Sequence, residues 1–238
     1  MKNRGHLILL TAIVLLTACS KNPISVLLVT GGHNFDTVEF FQLFRSMEEF
    51  EFDSVSHPEA LGLLSSEKKD SYDLILFYDF VPGMELKDSV VFLTLAREGK
   101  PMLFLHHSLC SFQRWDGYMQ MVGGKYVMAG FSSDSSAFSD YRHDIDLYVE
   151  VLDPDHPVSR GIENFTIHDE GYSNILLADQ IHPLFGTSHP DCSPIVGWVN
   201  RFDRSTCIYL MFGHDKQAYS NESFKQILRN SIQWLTSQ

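Results

Sequence analysis

The chain has 238 residues, with 30 acidic side chains against 18 basic ones and a formal net charge of −12 at pH 7. So acidic a protein repels phosphate backbones and anionic lipid headgroups, which excludes nucleic acid as a partner. Hydrophobic residues make up 44% of the sequence, enough for one sizeable core in a single domain of about 200 residues.

Lys2 and Arg4 open the chain, followed by an apolar run over residues 7–16 that only Thr11 interrupts. The run is too short to span a bilayer, which takes about 20 apolar residues, and it suits a secretory signal peptide. It ends in Leu16-Thr17-Ala18-Cys19, which resembles a bacterial lipobox. That resemblance implies a signal peptide over residues 1–18, cleavage before Cys19 and a membrane anchor through lipid on Cys19. Residues 19–23 then form a tether and residues 24–238 the folded domain. The expected location is the bacterial cell envelope. Ser20 after the cysteine favours the outer membrane, facing the periplasm. An ordinary signal peptide cut nearby is the alternative. Losing Lys2 and Arg4 takes the formal net charge to about −14. Cys110, Cys192 and Cys207 remain, an odd number without paired spacing, so no disulfide framework is expected. Cys110 reads as a small buried hydrophobe.

Residues 24–30 are a β-branched apolar run ending at Gly31-Gly32, which predicts a buried strand and a glycine loop. Residues 36–48 place Val38, Phe41, Phe44 and Met47 on one helical face. Strands are predicted over 52–55, 74–78 and 101–106, and a helix over 88–98 closed by Gly99. A crossover helix fits residues 61–69. This alternation implies right-handed crossovers and a mostly parallel sheet. Residues 111–122 read as a helix, residues 130–141 as an irregular insert, residues 145–152 as a half-exposed strand and residues 156–162 as a turn. Short strands follow over 184–186, 195–200 and 206–212, the last two as a hairpin around Asp203-Arg204. Residues 223–235 form a closing amphipathic helix.

Four histidines sit just past predicted strands or in loops beside acids: His33 in GGHNFD, His107 in LFLHHS, His168 in IHDEGY and His214 in FGHD. Open α/β sheets bind ligands at the carboxyl ends of their strands, and imidazole suits proton transfer or metal ligation near neutral pH. GGHN lacks a following GK[ST], so it is no phosphate loop and no nucleotide cofactor is expected.

The ordered pieces VTGGHNFD, PMLFLHHS, DHPVSRGI leading to DEGY, IVGWVNRF, FGHD and a last helix with Asn230 and Trp234 resemble the ThuA-like, or trehalose-utilisation, family. The resemblance runs from Ile24 to Leu235. It implies an α/β flavodoxin-like three-layer sandwich with a mostly parallel sheet, a C-terminal β-hairpin and a terminal helix, related to class I glutamine amidotransferases. Those enzymes carry a cysteine on a strand-to-helix elbow. Here the elbow position is read as His107 within HHS, and the downstream match is His214-Asp215. Without a thiol touching a base, glutamine hydrolysis is not expected. Ser108 lacks the flanking glycines of a nucleophile elbow.

The resemblance implies carbohydrate metabolism, with keto-disaccharides or glycosides as substrates for a hydrolase, lyase or isomerase. His107, His214, Glu170 and Asp169 are the catalytic candidates. His33, Asn34, His106, Tyr172, Arg160 and Asp215 are the substrate-binding candidates. Adjacent side chains point apart, so one of Asp169 and Glu170 faces the pocket, with burial raising its pKa toward that of a general base. The family pattern favours Glu170 with Tyr172. His33, His107 and His214 could bind a divalent metal such as zinc; equally, they could be hydrogen-bonding histidines of a polar pocket. Arg160 either holds an anionic or hydroxyl-rich ligand or braces a turn. Trp115, Tyr118 and Tyr141 are candidates for stacking on sugar rings. The competing reading is a non-catalytic module that binds a sugar or a partner at the same pocket.

Overall fold

The computed structural model describes residues 23–238; the expected signal peptide and Cys19 lie outside the described residues. The first apolar run forms β1 (Ile24–Gly31), and the aromatic-rich segment after the GGHN loop forms α1 (Thr37–Arg45). Its buried stripe is Phe40, Leu43 and Phe44, while Val38 is 63% exposed. The expected stripe through Val38 is therefore corrected: the helix starts at Thr37, and the 40–43–44 spacing buries more ring area. Next come β2 (Phe50–Ser56), α2 (Glu59–Leu64), β3 (Leu74–Asp79), α3 (Ser89–Glu98) and β4 (Met102–Leu105). Gly99 ends α3 in the left-handed region at φ +79°.

The helix expected over 111–122 is shorter, α4 (Asp116–Val122), because a 3-10 turn occupies His106–Cys110 and Phe112 has φ +49°. Then follow β5 (Gly124–Lys125), β6 (Asp140–Val151), β7 (Phe165–Ser173), β8 (Leu176–Leu177) and β9 (His182–Thr187). The DEGY segment, expected in a loop, is the second half of β7. The hairpin β10 (Ile195–Phe202) and β11 (Ser205–Leu210), the short α5 (Lys216–Ser220) and α6 (Glu222–Leu235) complete the chain.

Nine strands form one sheet in the order β2-β1-β3-β4-β11-β10-β9-β6-β7. The block from β2 to β11 is parallel. From β11 outward every pair is antiparallel. Adjacent residues of a strand face opposite ways, and β3 shows how the three layers form. Phe77 packs against Phe92 of α3 on one face, and Tyr78 stacks on Phe40 of α1 on the other. Phe40 also meets Tyr219 of α5, and Phe104 meets Tyr118 of α4. β3 and β4 are buried throughout, as expected of parallel strands covered on both faces.

Candidate active site

Four parallel strands end side by side, and their carboxyl-end turns carry the chemistry. After β1, Gly32 adopts φ +82°; a Cβ there would lie 1.8 Å from the carbonyl oxygen of Phe80. Only glycine lets this loop rest on the turn after β3, and that contact sets His33 beside Phe80, with ring centroids 5.6 Å apart. After β4, His106 takes φ +48°. A non-glycine residue in this region is strained and is held by its surroundings. Here Tyr209 donates to the His106 carbonyl at 2.9 Å, and Tyr118 donates to the Ser108 carbonyl at 3.0 Å. The left-handed elbow residue is thus His106, one position before the residue read from the sequence. After β11, Gly213 has φ +106°, and its carbonyl accepts from Tyr78 at 2.8 Å.

The second half of β7 passes over the end of β11. Asp169 accepts the backbone N–H groups of Gly213 at 2.7 Å and His214 at 2.9 Å. Burial raises its pKa, against the opposing pull of His106 and of those N–H donors. Glu170 and Tyr172, two residues apart, share the opposite face and point into a cavity of about 240 Å³. His33, His106, His107, His143 and His214 line it with them, and Phe80, Tyr126, Met128 and Tyr141 complete its walls.

Glu170 is the hub of a polar wall. Its Oε2 lies 3.0 Å from His106 Nε2 and 3.3 Å from His214 Nδ1, and its Oε1 lies 3.0 Å from His143 Nδ1. Burial by itself would raise the Glu170 pKa, but its bonds to His106 and His214 overcome this and hold it well below the usual carboxylate range. His214 answers in the other direction. Burial disfavours its imidazolium, yet the bond to Glu170 and the nearby carboxylate charges raise its pKa. His106 Nδ1 donates to the Met211 carbonyl at 2.7 Å, and Tyr172 hydroxyl lies 3.0 Å from its Nε2. The donor atoms of His106, Glu170 and His214 all lie within 4.8 Å of one another.

The facing wall is aromatic. His107 packs between His33 and Tyr78 with its ring tilted to both, ring centroids 4.8 and 4.4 Å away, and its Nε2 has no hydrogen-bond partner in the protein. Burial, reinforced by the neighbouring histidines, pushes its pKa well below 6.5, so His107 is a neutral imidazole. Burial lowers His33 as well.

The remaining expected residues lie elsewhere. Asn34 lines, with His33, an outer cleft of about 760 Å³ beside the cavity. Asp215 caps α5 through the N–H groups of Gln217 and Ala218. His168 lies outside the cavity lining and pairs with Asp146 at 2.8 Å. Arg160 belongs to a separate cleft with Asn230 and Trp234, and its carbonyl accepts from Asn230. Tyr118 is buried under the elbow, whereas Tyr141 is half exposed at the cavity. Cys110 borders the cavity, but burial pushes its thiol well above the ordinary value, which disfavours the thiolate that acyl transfer needs.

His143 escaped the sequence reading because it falls between the irregular insert of residues 130–141 and the strand expected from residue 145, where no period marks it. A β-bulge brings it to the cavity. The register of β6 on β7 slips between Arg142 and Ile145, and Asp144 takes φ +54°. Such bulges re-aim side chains beside active sites, and this one turns His143 onto Glu170.

The profile of the ThuA family, described as trehalose utilisation, matches residues 25–235. Among curated proteins none matches. A ThuA-like protein from Parabacteroides merdae superposes with a TM-score of 0.75 at 17% identity, covering 91% of each chain. Another from Bacteroides uniformis gives 0.70 at 16% identity, over 91% of this chain and 93% of that one. A glutamine amidotransferase from Thermotoga maritima gives 0.51 at 12% identity, over 92% of this chain and 100% of that one. At these identities the likeness is one of fold: a ThuA-like sandwich on the glutamine amidotransferase framework.

Proposed function

The chain belongs to the ThuA trehalose-utilisation family, and from that premise we propose that it is an envelope enzyme of carbohydrate metabolism acting on the carbonyl of keto-sugars or their glycosides. One observation carries the reading: a single carboxylate, Glu170, meets three imidazoles inside a cavity at the carboxyl end of the sheet. Such a cluster is far costlier to bury than apolar side chains, so it is retained for chemistry.

In this reading the sugar carbonyl oxygen sits against the His106–Glu170–His214 centre. A divalent cation, zinc foremost, would supply Lewis acidity there when bound. His143 is the base. His143 Nδ1 lies 3.0 Å from Glu170 Oε1, and a neutral imidazole has one ring nitrogen with a free lone pair. That nitrogen removes the proton α to the carbonyl, and the C–H electron pair moves to give an enediolate at the oxygen. Return of that proton to the former carbonyl carbon, with the adjacent hydroxyl proton passing to the first oxygen, isomerises the sugar; alternatively, expulsion of a β-linked alkoxide, which takes the proton from His143, cleaves the glycoside. Neutral His107 and His33 bond ring hydroxyls without carrying charge. The inner cavity is somewhat below the roughly 300–1,000 Å³ of drug-sized sites, which suits one sugar ring. A second ring fits the outer cleft beyond His33.

Turnover of 3-keto-trehalose and 3-keto-glycosides, followed by NMR with exchange of the α-proton into D2O, tests the reaction. His143→Ala is expected to lower kcat by about 10²–10⁴-fold. A wild-type protein that binds these sugars, as a rise in Tm, but neither exchanges nor converts them would establish the non-catalytic binding module instead. The lipid anchor rests on residues 16–19 and has its own test. Palmitate labelling of cells should mark the wild-type protein and not Cys19→Ser; equal labelling of both would overturn the anchor.

A further inference from the structure

We infer that His106 Nε2, Glu170 Oε2 and His214 Nδ1 are the ligands of one first-row transition-metal ion. The inference deepens the carbonyl reading above, but it rests on a different observation, the donor–acceptor parity of these three atoms. They form a triangle with sides of 3.0, 3.1 and 3.3 Å. Every side is of hydrogen-bond length, yet a ring nitrogen either donates or accepts, and a carboxylate oxygen only accepts. Three such atoms cannot be coloured donor and acceptor so that every side joins unlike partners. Protons on both nitrogens set two donors face to face at 3.1 Å; a proton on one leaves two acceptors face to face.

His106 sharpens the conflict. Its Nδ1 lies 2.7 Å from the Met211 carbonyl, which only accepts, so the Nδ1 proton is spoken for. In the neutral ring Nε2 is then a lone pair, fully buried, 3.0 Å from a carboxylate oxygen that cannot donate to it; the Tyr172 hydroxyl, also at 3.0 Å, can donate to it but does nothing for the repulsion between the two acceptors. A cation seated over the triangle satisfies all three lone pairs together.

The dimensions fit. Ligand atoms bound at roughly 2.0–2.1 Å lie about 3.3 Å apart around a tetrahedral ion and about 2.9 Å apart around an octahedral one. The observed sides span that interval. The supporting contacts are those of a metal site as well. A carbonyl fixes the His106 tautomer, His143 lies 3.0 Å from the outer oxygen of Glu170, and Asp169 holds the His214 backbone. Two imidazoles and one carboxylate select zinc, iron(II), cobalt or manganese over calcium and magnesium, which prefer oxygen ligands. The trio differs from the set expected from sequence. His33 and His107 pack against one another on the facing wall and fall outside the converging donors among the described residues.

Full-length protein stripped with chelator and titrated with ZnCl2 and MnCl2 tests the inference by calorimetry, Tm and metal content, with no substrate present. One equivalent should bind and raise Tm, and Co(II) should give visible absorption characteristic of nitrogen and oxygen ligands. Loss of an outer-sphere partner weakens metal sites about 10–100-fold, so Glu170→Gln, nearly isosteric, should lower affinity by about 100-fold or more, as should His106→Gln. His33→Ala should bind as the wild type does. Absence of binding at about 1 mM metal, or undiminished binding by folded Glu170→Gln, would overturn the site and leave a protonated hydrogen-bond cluster. Turnover by the metal-free protein would remove the cation from the reaction while leaving the carbonyl chemistry intact. Metal binding without turnover would do the reverse.

Discussion

The two walls of one cavity solve the problem of buried imidazole in opposite ways. On one, His106, His143 and His214 surround a carboxylate, and every ring has a charged neighbour. On the other, His107 is sealed between aromatic rings and stays neutral, with an unused Nε2. The difference teaches that burial by itself does not decide a histidine's charge; the group opposite does. The polar wall is built for reacting atoms and the aromatic wall for a hydroxyl-rich ligand.

This contrast can be broken or sharpened by mutation, beginning with its hub. Glu170→Gln should reduce turnover by about 10³-fold or more, since it removes the charge that orients His143 and completes the triangle; steady-state kinetics on a keto-sugar give the ratio. His106→Phe should destabilise the fold by about 3 kcal/mol, because it strips a partner from a buried carboxylate. The same change on the other wall should act differently. His107→Phe removes an unsatisfied nitrogen that costs about 1–3 kcal/mol to bury, so its urea midpoint should match or exceed that of the wild type, while KM rises about tenfold through a lost hydrogen bond to substrate.

A smaller effect separates the walls by pH in metal-free protein. His107 has a folded pKa below its ordinary 6.5. The unfolded chain therefore gains a proton below pH 6.5 that the folded ring refuses. The stability that the neutral ring contributes is complete above pH 6.5 and is lost as pH falls toward the folded value. The slope approaches about 1.4 kcal/mol per pH unit. His214, whose pKa is raised, contributes with the opposite sign: fully below pH 6.5, and lost as pH rises through its folded value. Urea midpoints across this range should show a flattened acid limb in His107→Phe and a flattened limb above pH 6.5 in His214→Gln. Arg160→Ala, in its separate cleft, should leave kcat/KM within about twofold, and a large loss would mean that the cavity has been drawn too small.

Much of the fold was legible because parallel strands buried on both faces leave apolar runs of four to eight residues. The runs at residues 24–30, 74–78 and 101–106 each became a strand with ends shifted by no more than one residue. DEGY was misplaced as a loop because its strand buries both faces unequally: Asp169 turns to the end of β11 and Glu170 to the cavity. Neither side chain looks apolar, so period-2 hydrophobicity had nothing to register. His143 was invisible for a related reason, since a bulge is set by pairing between strands and leaves only a weak local trace.

Acidic balance, the succession of strands and helices along the chain and the carboxyl-end positions of His33, His106, His107 and His214 are properties of local composition and period, and residues near in sequence suffice to specify them. Which imidazole meets which charge is not. His106 and His214 stand 108 positions apart, and the carboxylate between them arrives on another strand. Only the packed sheet sets those separations to a few tenths of an ångström. Protonation, metal affinity and reactivity depend on distances of that order, so they belong to the tertiary structure.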